Sequence, residues 1–462
     1  MSARFSRTLP LFPHPRPLQP RHGPALAALL LGLALAAAAN PADKLPTAPT
    51  VGDYMHAALA ADPALRVAAA ASEAAAWQAG AADRRPDPEL SIMFENWGSR
   101  TGPAMIVARL SQQLPWPGTL AARAAGAAAE ARMRGAEGAA RSLETASSAA
   151  QLALELGWLD AAAAHARASA ALLDQLRPLL AERVRAGADA AELLRLEVEI
   201  GLAFDAARTL DRMAERRSAA LATLIGQPPE RRLPAPPLPT ELPAAPELAA
   251  LASRWAQAHP EVIAALEGVA TATAGLELTR RENRPMLGFG VSYDESRESL
   301  PHGARRPDPL SFEVMMSIPL QRDRRRAAER AAAARVRQAE AAVEARRRAL
   351  AEMASIAAAD LREATDRARL HQHELLPAAH GTLELATARL AAGVGSITDL
   401  VDRHRLVLDL ETTLARSRAE AHQAAVRLAA LTGDLMAGSP PQPPPPSASP
   451  FSITTHTPGH QP

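Results

Sequence analysis

Four short segments alternate apolar and polar positions with a period of two. Leu90, Ile92 and Phe94 alternate with Ser91, Met93 and Glu95; Ala104, Ile106, Ala108 and Leu110 alternate with Met105, Val107, Arg109 and Ser111. The pattern is cleaner in Leu287, Phe289, Val291 and Tyr293, set against Gly288, Gly290, Ser292 and Asp294. It is as clean in Leu310, Phe312, Val314, Met316 and Ile318, set against Ser311, Glu313, Met315 and Ser317. Such alternation predicts strands. They form two hairpins, over 89–115 and 286–320, the first with a tight loop at 99–103. Strands of about ten residues with one apolar face suit a transmembrane β-barrel; the other reading is two hairpins lying on a soluble core. The rest has helical composition: 53–82, 118–185, 190–225 and 322–392. Two of these run for about 70 residues, or about 100 Å, with only Pro178 and Pro377 as breakers. Leu152, Leu156 and Leu159, then Leu172, Leu176 and Leu179, recur at coiled-coil intervals.

The elements come in two copies. Asp62-Pro63 matches His259-Pro260, and Pro88 matches Pro285, both 197 positions apart. Leu114-Pro115 matches Ile318-Pro319 at 204, Gly187 matches Gly393 at 206, and the two Leu-Ala-x-Leu-x-Gly ends, closing at Gly226 and Gly433, match at 207. The second copy therefore gains seven residues between its strands, where a loop tolerates them. The organisation read from this is a signal peptide over 1–39, repeat 1 over 40–227 with its turn at 186–190, and a proline-rich linker over 228–246. Repeat 2 follows over 247–436 with its turn at 392–396, then a disordered proline-rich tail over 437–462. The fold class is mainly α with a small β part: a long-helix tunnel carrying four strands per chain.

Four strands cannot close a barrel, and an open sheet in lipid leaves unsatisfied edges. The strand count thus demands several copies; eight strands from a dimer or twelve from a trimer both satisfy it. Composition removes other classes. The chain has no cysteine, which excludes disulfides, thiolate metal sites, cysteine nucleophiles and a lipid-anchored N-terminal cysteine. A net charge of +1 offers no basic field for nucleic acid. Arg4, Arg7, Arg16 and Arg21 precede an apolar run over 25–39, too short to span a membrane and ending in Ala36-Ala37-Ala38-Ala39, as a cleaved export signal does. Cleavage there takes the charge to −3. No later segment reads as a membrane-spanning helix. Trp97 and Trp116 sit near strand ends, where barrels place interfacial girdles. No nucleophile–base constellation, phosphate loop or metal-ligand cluster appears, so the reading is not an enzyme, with no cofactor and no metal site. His371 and His373, two apart on a helix, face different ways.

The ordered, duplicated marks resemble the TolC-like outer membrane efflux protein family over about residues 51–433. They are Asp62-Pro63, His259-Pro260, the run from Ser111 through Leu114-Pro115-Trp116-Pro117 to Gly118, and Ser317-Ile318-Pro319-Leu320. The resemblance implies a homotrimer in the outer membrane with its helices in the periplasm, a twelve-stranded barrel and a twelve-helix tunnel. It implies a periplasmic adaptor and an inner-membrane pump as partners, outer-membrane lipid around the barrel, and no nucleic acid. Leu114-Pro115-Trp116-Pro117-Gly118 resembles members serving heavy-metal pumps of the resistance-nodulation-division class. A type I protein-secretion duct and a soluble periplasmic adaptor or scaffold are the alternatives.

The second turn, with Gly393 and Gly395 followed by Asp399 and Asp402, is similar to the family's periplasmic entrance, where two aspartates line the closed pore. Spacing of i, i+3 puts Asp399 and Asp402 on one helix face. The local alternative is a capping box from Ser396 to Asp399. The first turn, at Gly187, departs from the pattern: Leu193 matches Asp399, with Glu192 beside it. The family's arginine just after the turn glycine is replaced by Gly395, which argues against a salt-bridge latch at this end.

This topology puts loops 99–103 and 297–309 outside the cell and both helical turns in the periplasm. Cysteines placed at Ser99 and His302 should label in intact cells with an impermeant reagent, while cysteines at Gly187 and Gly393 should not. The opposite pattern would invert the topology.

Overall fold

A computed structural model of the chain describes residues 45–95, 105–187, 189–244, 258–296, 310–433 and 435. The signal peptide, the tail, Trp97 and both hairpin loops lie outside the described residues. In chain order the elements are α1 (Val51–Ala61), α2 (Pro63–Ala81), β1 (Glu89–Glu95), β2 (Met105–Leu114), α3 (Thr119–Arg185), α4 (Ala190–Leu224) and α5 (Pro260–Glu282). Then come β3 (Leu287–Ser296), β4 (Leu310–Met316), α6 (Arg322–Leu370), a π turn (His371–Leu375), α7 (Leu376–Ala391) and α8 (Ile397–Thr432).

The four strands make one antiparallel sheet in the order β1-β2-β3-β4. The central pairing joins the two repeats, with Leu110 opposite Val291 and Leu114 opposite Leu287. Register stacks the apolar positions into rows across all four strands: Leu90, Leu110, Val291, Phe312; and Ile92, Ala108, Tyr293, Leu310. The other face carries Ser91, Arg109, Ser292 and Ser311, with an ion pair of 3.4 Å between Arg109 and Glu313. The apolar face is bare. Phe312 is 78% exposed, Val314 68% and Leu90 65%.

Helix boundaries follow from local chemistry. The expected single helix over 53–82 is two, because Pro63 takes the first helical position of α2 and Asp62 stands extended before it. Asp62 is buried: one carboxylate oxygen accepts from the Ala64 N–H at 2.8 Å, the other from the Thr145 hydroxyl at 2.7 Å. In the second copy His259 takes that place, its Nδ1 accepting from the Glu261 N–H at 3.2 Å. Burial lowers its pKa, which favours the neutral, accepting ring. The sequence pairs Asp62-Pro63 and His259-Pro260 are thus equivalent helix starts. The expected helix over 322–392 is interrupted by the π turn. Pro377 lacks an N–H and its ring conflicts with the carbonyl of residue 373, so the preceding turn widens. Pro178 leaves α3 continuous.

α3 is the spine, packing against α1, α2, α4, α5 and α8, while α6 packs against α5 and α8. Alanine dominates the seams: Ala354, Ala357, Ala358 and Ala364 of α6 meet Ala421 and Ala424 of α8. Small side chains bring helix axes close and make each contact intolerant of added volume. The leucine periodicity is half right. Leu156 and Leu159 are buried, but further along α3 it is Leu173 and Leu180 that face inward, and Leu172 and Leu179 are exposed. Ala170, one turn before Leu173, shares that buried face. α5, by contrast with the sequence reading, is long and apolar enough to cross a membrane. It instead lies along α3 and α6, with Arg132 gripping Glu267 through two bonds of 2.9 Å and Arg346 pairing with Glu261 at 3.2 Å.

The proline-rich segment is an ordered strap. Leu233 is buried and its N–H donates to the Ser218 hydroxyl at 2.7 Å; the Tyr54 hydroxyl donates to the Pro234 carbonyl at 2.6 Å. Where it crosses α3, only glycine fits: a Cβ on Gly157 would stand 2.7 Å from the Pro236 carbonyl oxygen. Gly157→Ala should therefore cost about 1–3 kcal/mol by overpacking. Gly201→Ala, on an open face of α4, should stabilise by up to about 1 kcal/mol through helix propensity. Thermal melts of the two variants decide this, and shifts of the same sign would remove the close-approach argument.

Candidate functional site

The two helical turns, at Gly187 and Gly393, lie far along the helices from the sheet. Gly187 and Gly393 both adopt positive φ, 101° and 77°, which an L side chain resists. Gly395 is needed for space: a Cβ there would fall 2.6 Å from the Leu390 nitrogen. The turn closes by N–H donation from Val394 and Gly395 to the Arg389 carbonyl, at 3.1 and 3.0 Å.

At the start of α8, Ile397 and Val401 are buried against α3 and α4, in a cluster with Leu173, Leu180, Leu196 and Ile200, and Leu400 is buried beside them in sequence. At 100° per residue, Asp399, Asp402 and Leu406 lie on the opposite side of that helix. The structure therefore puts Asp399 and Asp402 on one outward face, with side chains 41% and 58% exposed. The capping box is not formed in full. Ser396 accepts from the Thr398 N–H at 3.1 Å, while Asp399 accepts from Arg403 Nε at 3.2 Å.

Asp402 is engaged across the repeats, accepting from Arg195 Nη2 of α4 at 3.3 Å. The sequence reading argued against a latch because Gly395 replaces the arginine after the turn glycine; the structure pairs Asp402 with Arg195 and Asp399 with Arg403 instead. Arg195 was missed because its partner is 207 positions away and no local pattern links them. Deeper in, the His404 ring shares a 2.9 Å hydrogen bond with the Ser169 hydroxyl, and burial lowers its pKa. His371 is used locally, its Nδ1 against the Arg367 carbonyl at 2.8 Å. Among the described residues no group of His, Asp and Glu is arranged to hold a metal ion.

At the other end, the bare apolar sheet has β1 and β4 at its edges, with no further strand beside either among the described residues. Strand direction alternates across four strands, so β4 of one chain beside β1 of another would again be antiparallel.

Residues 251–434 match the family described as outer membrane efflux protein. Solved structures share the fold over most of the chain. VceC from Vibrio cholerae aligns at 18% identity and TM-score 0.69, over 83% of this chain and 96% of its own. The open-state channel MtrE from Neisseria gonorrhoeae aligns at 18% and 0.69, over 84% and 90%. CusC aligns at 19% and 0.70, over 83% and 92%. No curated relative matches the chain.

The Arg195–Asp402 pair is about half exposed, so its contribution is screened. A double-mutant cycle with Arg195→Ala and Asp402→Ala should give a coupling of about 0.2–1 kcal/mol in chemical unfolding, shrinking as salt is raised. Additive single effects at low salt would mean that the pair contributes nothing.

Proposed function

We propose that this chain, whose residues 251–434 match the outer membrane efflux protein family, belongs to that family and assembles as a homotrimer that forms the exit duct of a tripartite efflux system. Its place is the outer membrane, with the helices in the periplasm. The observation that carries the oligomer is the sheet: an exposed apolar face and two edges whose N–H and C=O groups have no partner strand among the described residues. Hydrocarbon offers those groups no water, so only closure by further copies satisfies them.

The helices support the same reading. α5 of repeat 2 packs between α6 and α3, whereas its counterpart α2 packs against α3 and leaves Val67 and Trp77 about 70% exposed. Repeat equivalence assigns that open side of α2 to α6 of a neighbouring copy. Leu194, Val198 and Leu202 form a further exposed apolar stripe on α4, at the spacing of a helix seam. Three chains give twelve strands and a tunnel narrowed at the Asp399–Asp402 end, where threefold symmetry sets six carboxylates near the axis. Arg195 and Arg403 hold those side chains in place. The duct performs no chemistry of its own; a periplasmic adaptor and an inner-membrane pump of the resistance-nodulation-division class supply direction and energy. Leu114-Pro115-Trp116-Pro117-Gly118 leans the cargo toward heavy-metal cations.

Cross-linking the purified chain in neutral detergent should give a trimer, and planar-bilayer recordings should show a channel blocked by multivalent cations. Asp399→Ala with Asp402→Ala should raise conductance and weaken that block, without loss of the trimer. A soluble monomer would sink the duct. A conducting trimer whose block and conductance ignore the double substitution would leave Asp399 and Asp402 only helix-end roles.

A further inference from the structure

We propose that the arginines where the sheet of repeat 2 meets its helices form a cradle for the phosphate groups of anionic phospholipids in the periplasm-facing leaflet. The proposal rests on the outer-membrane reading above. Arg280 and Arg284, at and just after the end of α5, line one shallow concavity of about 420 Å³ together with Arg322, Arg325 and Arg326 from the start of α6. Asn283 and Glu329 complete the lining, and Glu329 is its only carboxylate, accepting from the Asn283 amide at 2.8 Å. Arg280 and Arg326 have distant partners, Glu277 at 3.8 Å and Asp323 at 3.9 Å. Arg284, Arg322 and Arg325 have no carboxylate within 4.0 Å among the described residues. Five guanidinium groups with only two weak carboxylate partners make a strong positive field, and the planar fork of each matches two phosphate oxygens. α6 also begins without a side-chain cap, since Gln321 makes none; the Arg322 N–H donates to the Leu320 carbonyl at 2.9 Å and Asp323 lies in the same turn, so the arginine side chains supply the field.

Placement names the occupant. Arg284 precedes β3 by three residues, and the apolar positions of β4 run on through Ile318 and Leu320, 67% and 80% exposed, directly into Arg322. The cluster therefore borders the lipid-facing surface at headgroup depth, where each arginine near an anionic leaflet is favoured. Repeat 1 lacks it. Gly118 stands where Arg322 does at the repeat offset of 204, and Arg84 and Arg85 are interleaved with Asp83, Asp87 and Glu89. A trimer carries three cradles, one per chain.

The test uses the full mature trimer in neutral detergent, titrated with phosphatidylglycerol and read by native mass spectrometry. Arg284→Ala, Arg322→Ala and Arg325→Ala together should weaken lipid retention on the order of a hundredfold, from roughly fivefold per arginine. Arg335→Ala, Arg337→Ala and Arg347→Ala, on exposed turns further along α6, should change it little. Should the alanine triple fail to assemble, the triple Arg→Lys variant is read instead, with an expected loss of about fivefold from lost bidentate geometry. Equal retention in wild type and the variant that is read, or equal loss in the distal control, overturns the cradle. Inorganic phosphate displacing the lipid at similar concentration also overturns it, by making the site one for free anions. Conductance of the wild-type trimer is recorded alongside: a conducting channel with unaltered lipid retention defeats the cradle alone, and a chain that never inserts defeats the duct reading.

Discussion

On the proposed outer-membrane reading, the constraint on which the rest depends is the hydrogen-bonding demand of backbone in hydrocarbon. Every N–H and C=O of a membrane strand needs a partner, and each missing one costs several kcal/mol. Here the two inner strands are satisfied within the chain and the two outer strands are satisfied on one side only. An even strand number keeps any continuation antiparallel, so the same sheet can close on copies of itself without a special joint. The apolar rows and the unpaired edges are therefore one requirement seen from two directions.

The helical part meets a different demand, that of staying wide and thin. A conventional domain buries large side chains around a centre, whereas this chain spreads its core into three separate clusters dominated by alanine and leucine, two along α3 and one between α6 and α8. Alanine seams contribute little apolar area each but allow close approach over great length. The proline-rich strap adds what they lack, crossing between the helices and fastening Tyr54, Ser218 and the backbone beside Gly157.

The strands were legible because period two has no competitor over ten residues, and the repeat because its turn and cap residues recur in order. The pairing of β2 with β3 was not legible, since alternation fixes faces and says nothing of neighbours. In α3 the leucines misled: where alanine lines most positions, the interface is chosen by what is small, so Leu173 turns inward and Leu172 outward. At the Asp399–Asp402 end the face was readable from i, i+3 spacing. Arg195 was not, because an ion pair between α4 and α8 leaves no trace in local pattern. The strap looked like a spacer for the same reason: its hydrogen bonds are to residues such as Tyr54, 180 positions distant.

The junction of β2 and β3 also imposes an order in time. Leu114 and Leu287 face each other across 173 positions of chain, and such distant pairing is slow to find. Synthesis delivers the first hairpin long before the second exists, so its apolar face has to wait beside water without its central neighbour. Helices built from contacts close in sequence form early, and α3, α4 and their alanine seams supply a scaffold that brings the late strands alongside the early ones. On the duct reading, contact order alone thus favours assembly from the helical end toward the sheet, whose central pairing comes last.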